Sequence, residues 1–256
     1  MKMRWLKRMG YKTDQEGIIR RFLNEDGAWN SHIKNTKDVI IEQSEQIQEK
    51  KTVLVLGSGW LLDIPIDFLC KTFTNVVLTD IFHPKEIVKK YSKYTNIVWL
   101  QCDLTGIAEN VFAIGRKGSK NFNDELKKVK IYPPALNVKA NYVISANILS
   151  QLDELIIDYL KKYQEIDTEI LAGFRRKIQE KHLDFLKKSK SVLITDIEEL
   201  YFNRDAELVE QVCLMYCKLP ESRIITEWEW TFDSKMTYRR NNVTYRKVKA
   251  YSFIEN

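Results

Sequence analysis

The chain has 256 residues, 44% of them hydrophobic and 30% charged, with a net charge of +6. That length and hydrophobic share suit one large α/β domain or two small ones and argue against disorder. A charge of +6 permits an anionic partner without requiring one, because a lysine-rich solvated surface gives the same figure. Cys70, Cys102, Cys213 and Cys217 form no C-x-x-C pair. Cys213 and Cys217 have the spacing of one helical turn, but no His lies near them, so free buried thiols, a reducing compartment and no metal site are expected. The N-terminal MKMRWLKRMG is basic but lacks the apolar core of a signal peptide. No run is long enough to span a membrane, and a cytoplasmic protein is expected.

Residues 1–50 read as a helical extension. Ile18, Ile19, Phe22 and Leu23 recur at helical spacing, Asn24 to Gly27 break the pattern, and a second helix is expected from about Ala28. Trp29 and His32 are three apart and share a face of that helix. They could form a lid, with His32 offering acid–base chemistry. A packed Trp and a hydrogen-bonded His is the plainer reading and the favoured one.

Val53 to Leu56 is an unbroken apolar run, long enough for a buried strand and too short for a helix. Gly57-Ser58-Gly59 follows, then an apolar segment, Trp60 to Leu69, expected to be helical with Pro65 in its first turns and Asp63 at the positive end of its dipole. Strand, glycine turn and helix form an entry to a nucleotide site, because glycine lets backbone approach a ligand and a helix start offers free N–H groups.

A second strand, Asn75 to Asp80, ends in a carboxylate about twenty residues beyond the glycine turn, the place of an acid that accepts from ribose hydroxyls. A helix over Pro84 to Tyr94 and a third strand, Asn96 to Asp103, follow, the strand again ending in Asp. Between 104 and 140, Arg116, Lys117, Lys120, Lys127, Lys128 and Lys130 make the most basic stretch, broken by Gly115, Gly118, Pro133 and Pro134. No aromatic residues interleave these charges as a base-stacking surface would require, so a solvated loop with a short helix is expected. Asn141 to Asn147 is a fourth strand. A helical insertion over about 153–188, broken near 166–168, precedes a fifth strand, Ser191 to Asp196. A helix is expected over Ala206 to Tyr216. Arg223 to Phe232 alternates, with Trp228, Trp230 and Phe232 on one side, and Val243 to Phe253 forms its partner strand, with Asn241-Asn242 as a hairpin turn.

VLVLGSG at Val53–Gly59, VVLTD at Val76–Asp80, VWLQCD at Val98–Asp103, YVISAN at Tyr142–Asn147 and the closing hairpin together resemble a class I, Rossmann-like S-adenosylmethionine-dependent methyltransferase over about residues 50–256. Residues 53–152 resemble more closely a bacterial branch of that superfamily with no assigned substrate, which shares the pattern LGSGxLLDxP, VxxVDxxHP, DxTG and SANxLSQL. The resemblance implies an α/β fold: a mostly parallel, seven-stranded sheet closed by an antiparallel C-terminal hairpin over 51–256, preceded by the helical extension 1–50. It implies S-adenosylmethionine as cofactor. Gly57, Ser58 and Gly59 would wrap its methionine and ribose portions, Asp80 would hold the ribose hydroxyls, Asp103 would accept from the adenine amino group with Leu104 on the ring, and Asn147 would line the cleft near the sulfonium. Two positions depart from the family pattern. Val55 stands where an acid is usual, and Leu61 where a third glycine is usual. Both weaken the inferred grip on the amino-acid end of the cofactor.

The expected activity is methyl transfer to a small-molecule acceptor. Such a reaction needs an in-line nucleophile and sometimes a base. His32, His83 and Asn147 are candidates near the cleft, and none is assigned as catalytic. The alternative is a non-catalytic protein that holds S-adenosylmethionine or a nucleotide in a degenerate site. A nicotinamide oxidoreductase is disfavoured by the missing third glycine and the closing hairpin, and a nucleic-acid substrate by the modest charge.

Overall fold

The computed structural model describes residues 4–117, 121–132 and 136–254. Gly118, Lys120, Pro133 and Pro134 of the basic stretch lie outside them. The chain opens with three helices, α1 (Arg4–Met9), α2 (Tyr11–Asn24) and α3 (Asn30–Glu45). It then runs through β1 (Thr52–Leu56), α4 (Ile66–Thr72), β2 (Asn75–Asp80), α5 (Lys85–Lys90) and β3 (Ile97–Gln101). Helices α6 (Ala108–Lys117) and α7 (Phe122–Lys128) lead to β4 (Tyr142–Ala146). After a 3₁₀ turn at Leu149–Gln151 come α8 (Glu154–Lys161), α9 (Thr168–Lys187), β5 (Ser191–Phe202), β6 (Leu208–Cys213), β7 (Ile224–Asp233) and β8 (Val243–Ser252).

The strands form one sheet in the order β3-β2-β1-β4-β5-β8-β7, with β6 paired to β5 off that path. The first five are parallel, and β8 and β7 close the sheet antiparallel. This is the expected architecture with an eighth strand added. Its core shows why the parallel strands read as apolar runs: both faces are covered, so both sets of alternating side chains are buried. Leu54, Leu56, Val143 and Leu193 pack with α6, α8, α9 and α1 on one face. Val53, Val55, Val76, Leu78, Ile144 and Ile194 pack with α3, α4 and α5 on the other. Trp5 and Met9 of α1 belong to the first layer and Val39 and Ile40 of α3 to the second.

The order reverses between β1 and β4. From β1 the chain moves to β2 and β3 on one side, then returns to β4 and β5 on the other. Such a switch point opens a crevice at the carboxyl ends of the strands, where ligands of open α/β sheets bind.

Four local expectations are corrected. The glycine turn does not lead directly into a helix: α4 begins at Ile66, behind Pro65. Proline disfavours helical backbone in the residue before it, so Trp60 to Pro65 stays a loop, and Asp63 is not at a helix end. Residues 208–213 are strand β6, not helix, lying antiparallel on the long second half of β5. Asn203 makes the turn, its side chain accepting from the amides of Asp205 and Glu207, and the β-branched Val209 and Val212 suit the extended chain that follows. Cys213 is therefore exposed at a strand end and shares no helix with Cys217. Strand β5 does not stop at Asp196 but runs on to Phe202, which places Asp196 inside the sheet. The stretch 104–140 holds two helices, α6 and α7, with Val111, Phe122 and Leu126 in the core.

Among the described residues no helix is long and apolar enough to cross a membrane.

Candidate functional site

Two adjoining cavities, of about 180 and 90 Å³, open at the switch point. Asp14, Gln15, Ile18, Gly57, Asp80, Ile148, Gln151 and Glu154 line both, so they are two lobes of one cleft. Helix α2 forms one wall with Asp14, Ile18 and Arg21, which share a face because they recur at helical spacing. The opposite wall comes from Ile148 and the start of α8, and the far end from Trp230, Phe232 and Arg246 on the closing hairpin.

Gly57 is required where it stands. Its φ is +72°, and a Cβ there would lie 2.8 Å from Ile148 Cγ1. Gly57→Ala is expected to cost about 2 kcal/mol or more, summing left-handed strain and a clash against a branched side chain. Urea unfolding measures the loss, and pairing it with Ile148→Ala should return the steric part alone.

The amides of Gly57 and Ser58 both donate to Thr79 O, at 2.9 and 3.0 Å. The Gly59 amide donates to Asp80 Oδ2 at 2.8 Å. All three N–H groups of the turn are thus committed to the end of β2, and the helix that follows begins only at Ile66. The free N–H cradle expected there is absent. The turn brings backbone and the Asp80 carboxyl together instead. Asp80 Oδ1 also accepts from the Phe82 amide at 3.0 Å. Burial raises the Asp80 pKa, and those backbone donors hold it back.

Asp103 and Leu104 line the smaller lobe with Ile81 and Thr105. Asp103 Oδ1 accepts from Thr105 N and Oγ1 at 2.9 and 2.7 Å, and Oδ2 from Ala108 N at 2.8 Å, which ties the loop after β3 to the start of α6. Most of this carboxylate's accepting capacity is therefore used within the chain.

At the larger lobe Asn147 sits in left-handed backbone, φ 54°, a conformation asparagine adopts more readily than most residues. Its amide nitrogen is 2.6 Å from Asp63 Oδ2 and 3.0 Å from His32 Nε2. The proton count constrains this trio. The Trp228 indole N–H donates to His32 Nδ1 at 3.1 Å, and an indole can only donate, so neutral His32 carries its proton on Nε2. Burial first, and Arg246 second, push the His32 pKa down to about 3, so the ring is neutral at physiological pH. An Nε2–H facing Asn147 needs the amide oxygen. A half-turn of the amide supplies it, and Asp63, whose pKa burial raises, can then donate to the same oxygen as a neutral acid. In either orientation one end of the Asn147 amide has no partner among the described residues, which leaves a spare hydrogen-bonding group at the cleft.

Trp29 and His32 both line this lobe. Trp29 is 4% exposed, donates to Phe232 O at 2.9 Å and packs edge-on against Trp230. His32 is 2% exposed and stacks on Trp230 at 3.9 Å. His83 lies beyond both lobes, against the edge of Trp99. Leu61, at the place of the third glycine, keeps a glycine-like φ of +53° with its side chain buried. Val55, at the place of the usual acid, is core.

Unmet hydrogen-bonding capacity converges here. Gln15 Oε1, Ser58 Oγ, one end of the Asn147 amide, Trp230 Nε1 and Arg246 Nε are buried without a partner among the described residues, and all five side chains line the larger lobe. Buried polar atoms are nearly always paired, so a cluster of orphans marks a place for a polar ligand. Glu154, between the lobes, has no hydrogen-bond partner among the described residues, and burial lifts its pKa to about 7 against the pull of Arg246.

Asp14, Gln15, Arg21, Glu154, Tyr238 and Arg246 are site residues that the sequence reading passed over. The spacing of Asp14, Ile18 and Arg21 held a signal, since polar and apolar residues share one helix face. Glu154 follows the SANILSQL segment closely. Arg246 had none, because its surroundings exist only once β8 pairs with β5 and β7.

No protein-family profile matches the chain, and no curated protein does. Among solved structures it is similar to the N-methyltransferase NodS from Bradyrhizobium japonicum bound to S-adenosylhomocysteine, at 9% identity over 89% of each chain, with a TM-score of 0.38. It is similar to a Burkholderia thailandensis 1,6-didemethyltoxoflavin-N1-methyltransferase at 9% identity, over 93% of this chain and 89% of the other, with a TM-score of 0.35. The 23S rRNA methyltransferase ErmE matches at 12% identity, over 86% of this chain and 71% of its own, with a TM-score of 0.32. At such identities and TM-scores the likeness is loose.

Proposed function

We propose that the cleft binds S-adenosylmethionine and transfers its methyl group to a small-molecule acceptor. The observation that carries this reading is the pair of joined lobes at the switch point, with Asp80 and Asp103 around the smaller and the orphaned polar groups around the larger. Adenosine would occupy the smaller lobe, where Asp80 takes the ribose hydroxyls and Leu104 packs on the adenine. Asp103 has limited capacity left for the adenine amino group, given its three internal donors. The methionine portion would lie along Gly57, Ser58 and Gly59 toward Asn147 and Asp63, and Asp63 would stand in for the acid missing at Val55. Helix α2 would close the cleft from above.

A dinucleotide is a poorer fit. Its pyrophosphate needs free amides at a glycine turn or helix start, and here the turn's amides already donate to Thr79 and Asp80. S-adenosylmethionine carries no phosphate and makes no such demand.

When bound, S-adenosylmethionine would supply an electrophilic methyl group for in-line displacement by the acceptor, its sulfur keeping the electrons of the broken carbon–sulfur bond. The protein's part is to align the two and to take a proton from the acceptor. Glu154, unpartnered between the lobes, is the side chain placed for that proton. His32 is a wall of the site in this reading, not its base, since both of its nitrogens are engaged.

Thermal unfolding with S-adenosylmethionine, S-adenosylhomocysteine, NAD and ATP in parallel tests the proposal. A ligand at a hundred times its Kd adds about 2.7 kcal/mol, a rise of about 5–10 °C for a chain of this size. The two adenosyl compounds alone should give it. A shift with NAD alone would overturn the reading, and adenosyl binding without turnover of any acceptor would favour the non-catalytic alternative.

A further inference from the structure

The far end of the larger lobe contains donors with nothing to donate to. Trp230 and Arg246 stand opposite each other across β7 and β8. The Arg246 guanidinium carbon lies 3.7 Å from the Phe232 ring centre and 5.7 Å from that of Trp230. From α2, the Arg21 guanidinium carbon reaches within 4.8 Å of the Phe232 ring centre and 4.9 Å of that of Tyr238. Arg246 Nε and Trp230 Nε1 are buried and have no partner among the described residues. The Arg21 side chain makes no hydrogen bond or ion pair among the described residues. These groups can only donate, so what they lack is an acceptor.

Charge separates the two arginines. The terminal nitrogens of Arg246 are held by Asp196 and Glu199 at 2.6 and 2.5 Å, and its Nε has no partner among the described residues. Arg21 has no such partner. Asp14 and Asp233 offset its field from a distance, neither forming an ion pair with it, and Arg246 opposes them. A cationic guest is disfavoured as well. The Phe232 and Tyr238 rings that could cage an ammonium already carry guanidinium groups. Beside the donors the wall is apolar, with Ile18, Ile33, Trp29 and Leu62.

We propose that this end of the cleft is a carboxylate subsite, in which Arg21, the Nε–H of Arg246 and the indole N–H of Trp230 receive the carboxylate of a small acceptor with an apolar body. Calling the guest an acceptor rests on the methyltransferase reading. The subsite itself rests on the orphaned donors. A second source of the same chemistry is the cofactor's own methionine carboxylate, and the test separates the two.

The probe is benzoate, titrated by calorimetry into the full chain with and without saturating S-adenosylhomocysteine, with benzamide as its uncharged counterpart. Benzoate should bind saturably in the presence of S-adenosylhomocysteine, and benzamide roughly tenfold or more weakly. Arg21→Met, on a partly exposed helix face, should weaken benzoate by a similar factor and leave S-adenosylhomocysteine affinity unchanged. Arg21→Lys should fall between. Equal affinity for the acid and the amide, or benzoate binding indifferent to Arg21→Met, would overturn the subsite, as would no saturable binding. Mutual exclusion of benzoate and S-adenosylhomocysteine would assign the donors to the cofactor and overturn the acceptor assignment. Arg21-dependent benzoate binding by a protein that ignores S-adenosylhomocysteine would uphold the subsite and sink the methyltransferase reading instead.

Discussion

Arg246→Met is expected to destabilise the protein by about 3–5 kcal/mol, the usual range when one partner of a buried ion pair is removed, and to lower Tm by on the order of 10 °C. The reason is what it leaves behind. Arg246 is 3% exposed and lies between Asp196, which is fully buried, and Glu199. Asp196 keeps one donor, Ser150 Oγ, and Glu199 keeps Tyr201 Oη. Neither hydroxyl carries the positive charge that offset two buried carboxylates. Methionine fills much of the volume, so packing is nearly preserved and the loss reports electrostatics. Adding Asp196→Asn and Glu199→Gln should recover most of the loss at neutral pH. Urea unfolding of the single and triple variants measures this. A loss below about 1 kcal/mol for the single variant would mean that water already reaches these charges, since that is the range of exposed pairs.

The cross-strand register explains why this network was hidden in the sequence. Glu199 and Arg246 stand opposite each other only because Ile197 is bulged out between the paired positions Asp196 and Glu198. A bulge shifts which residues share a face, and nothing in SVLITDIEEL announces one. The same long strand explains why 208–213 is not helical. Once β5 outruns β4, its free edge offers unpaired backbone groups, and the segment after the Asn203 turn pairs with them as β6. Its residues are mostly exposed, so no apolar alternation marked it as a strand. The elements that were legible are those whose identity is local. VLVLGSG, VVLTD, VWLQ and YVISA are short apolar runs with β-branched residues and a clear stop, and each is a parallel strand.

The site was legible along one edge. Gly57, Asp80, Asp103, Leu104 and Asn147 all line the cleft because each follows a strand whose end could be located, and a parallel sheet brings those ends together. What the glycine turn does with its amides was not legible, since that depends on the carbonyl of Thr79 and the length of the loop before Pro65. Nor was the other wall. Asp14, Arg21, Glu154 and Arg246 come from three separate parts of the chain, and their convergence is a property of packing.

Glu154→Gln is expected to stabilise the free protein by about 3 kcal/mol at pH 8. The sign follows from its raised pKa. Folding moves this carboxyl from its ordinary value near 4.5 up to about 7, chiefly through burial. The folded state therefore holds the proton more tightly than the unfolded chain does. The stabilisation this provides is complete below about pH 4.5 and is lost as pH rises through 7, where the acid must ionise inside the cleft. Glutamine has nearly the same shape and never ionises, so the variant should match wild type at low pH and exceed it increasingly above pH 5, levelling off beyond 7. Equal stability of the two proteins at pH 8 would show that Glu154 is solvated and remove the basis for its assignment. A carboxyl held at such a cost, without an ion pair or hydrogen bond among the described residues, in the wall of a cleft, is the arrangement expected of an acid–base group. S-adenosylhomocysteine affinity measured on the same variant makes the assignment specific. A base that faces only the acceptor should leave that affinity unchanged, whereas a loss of cofactor binding would place Glu154 among the cofactor's own contacts.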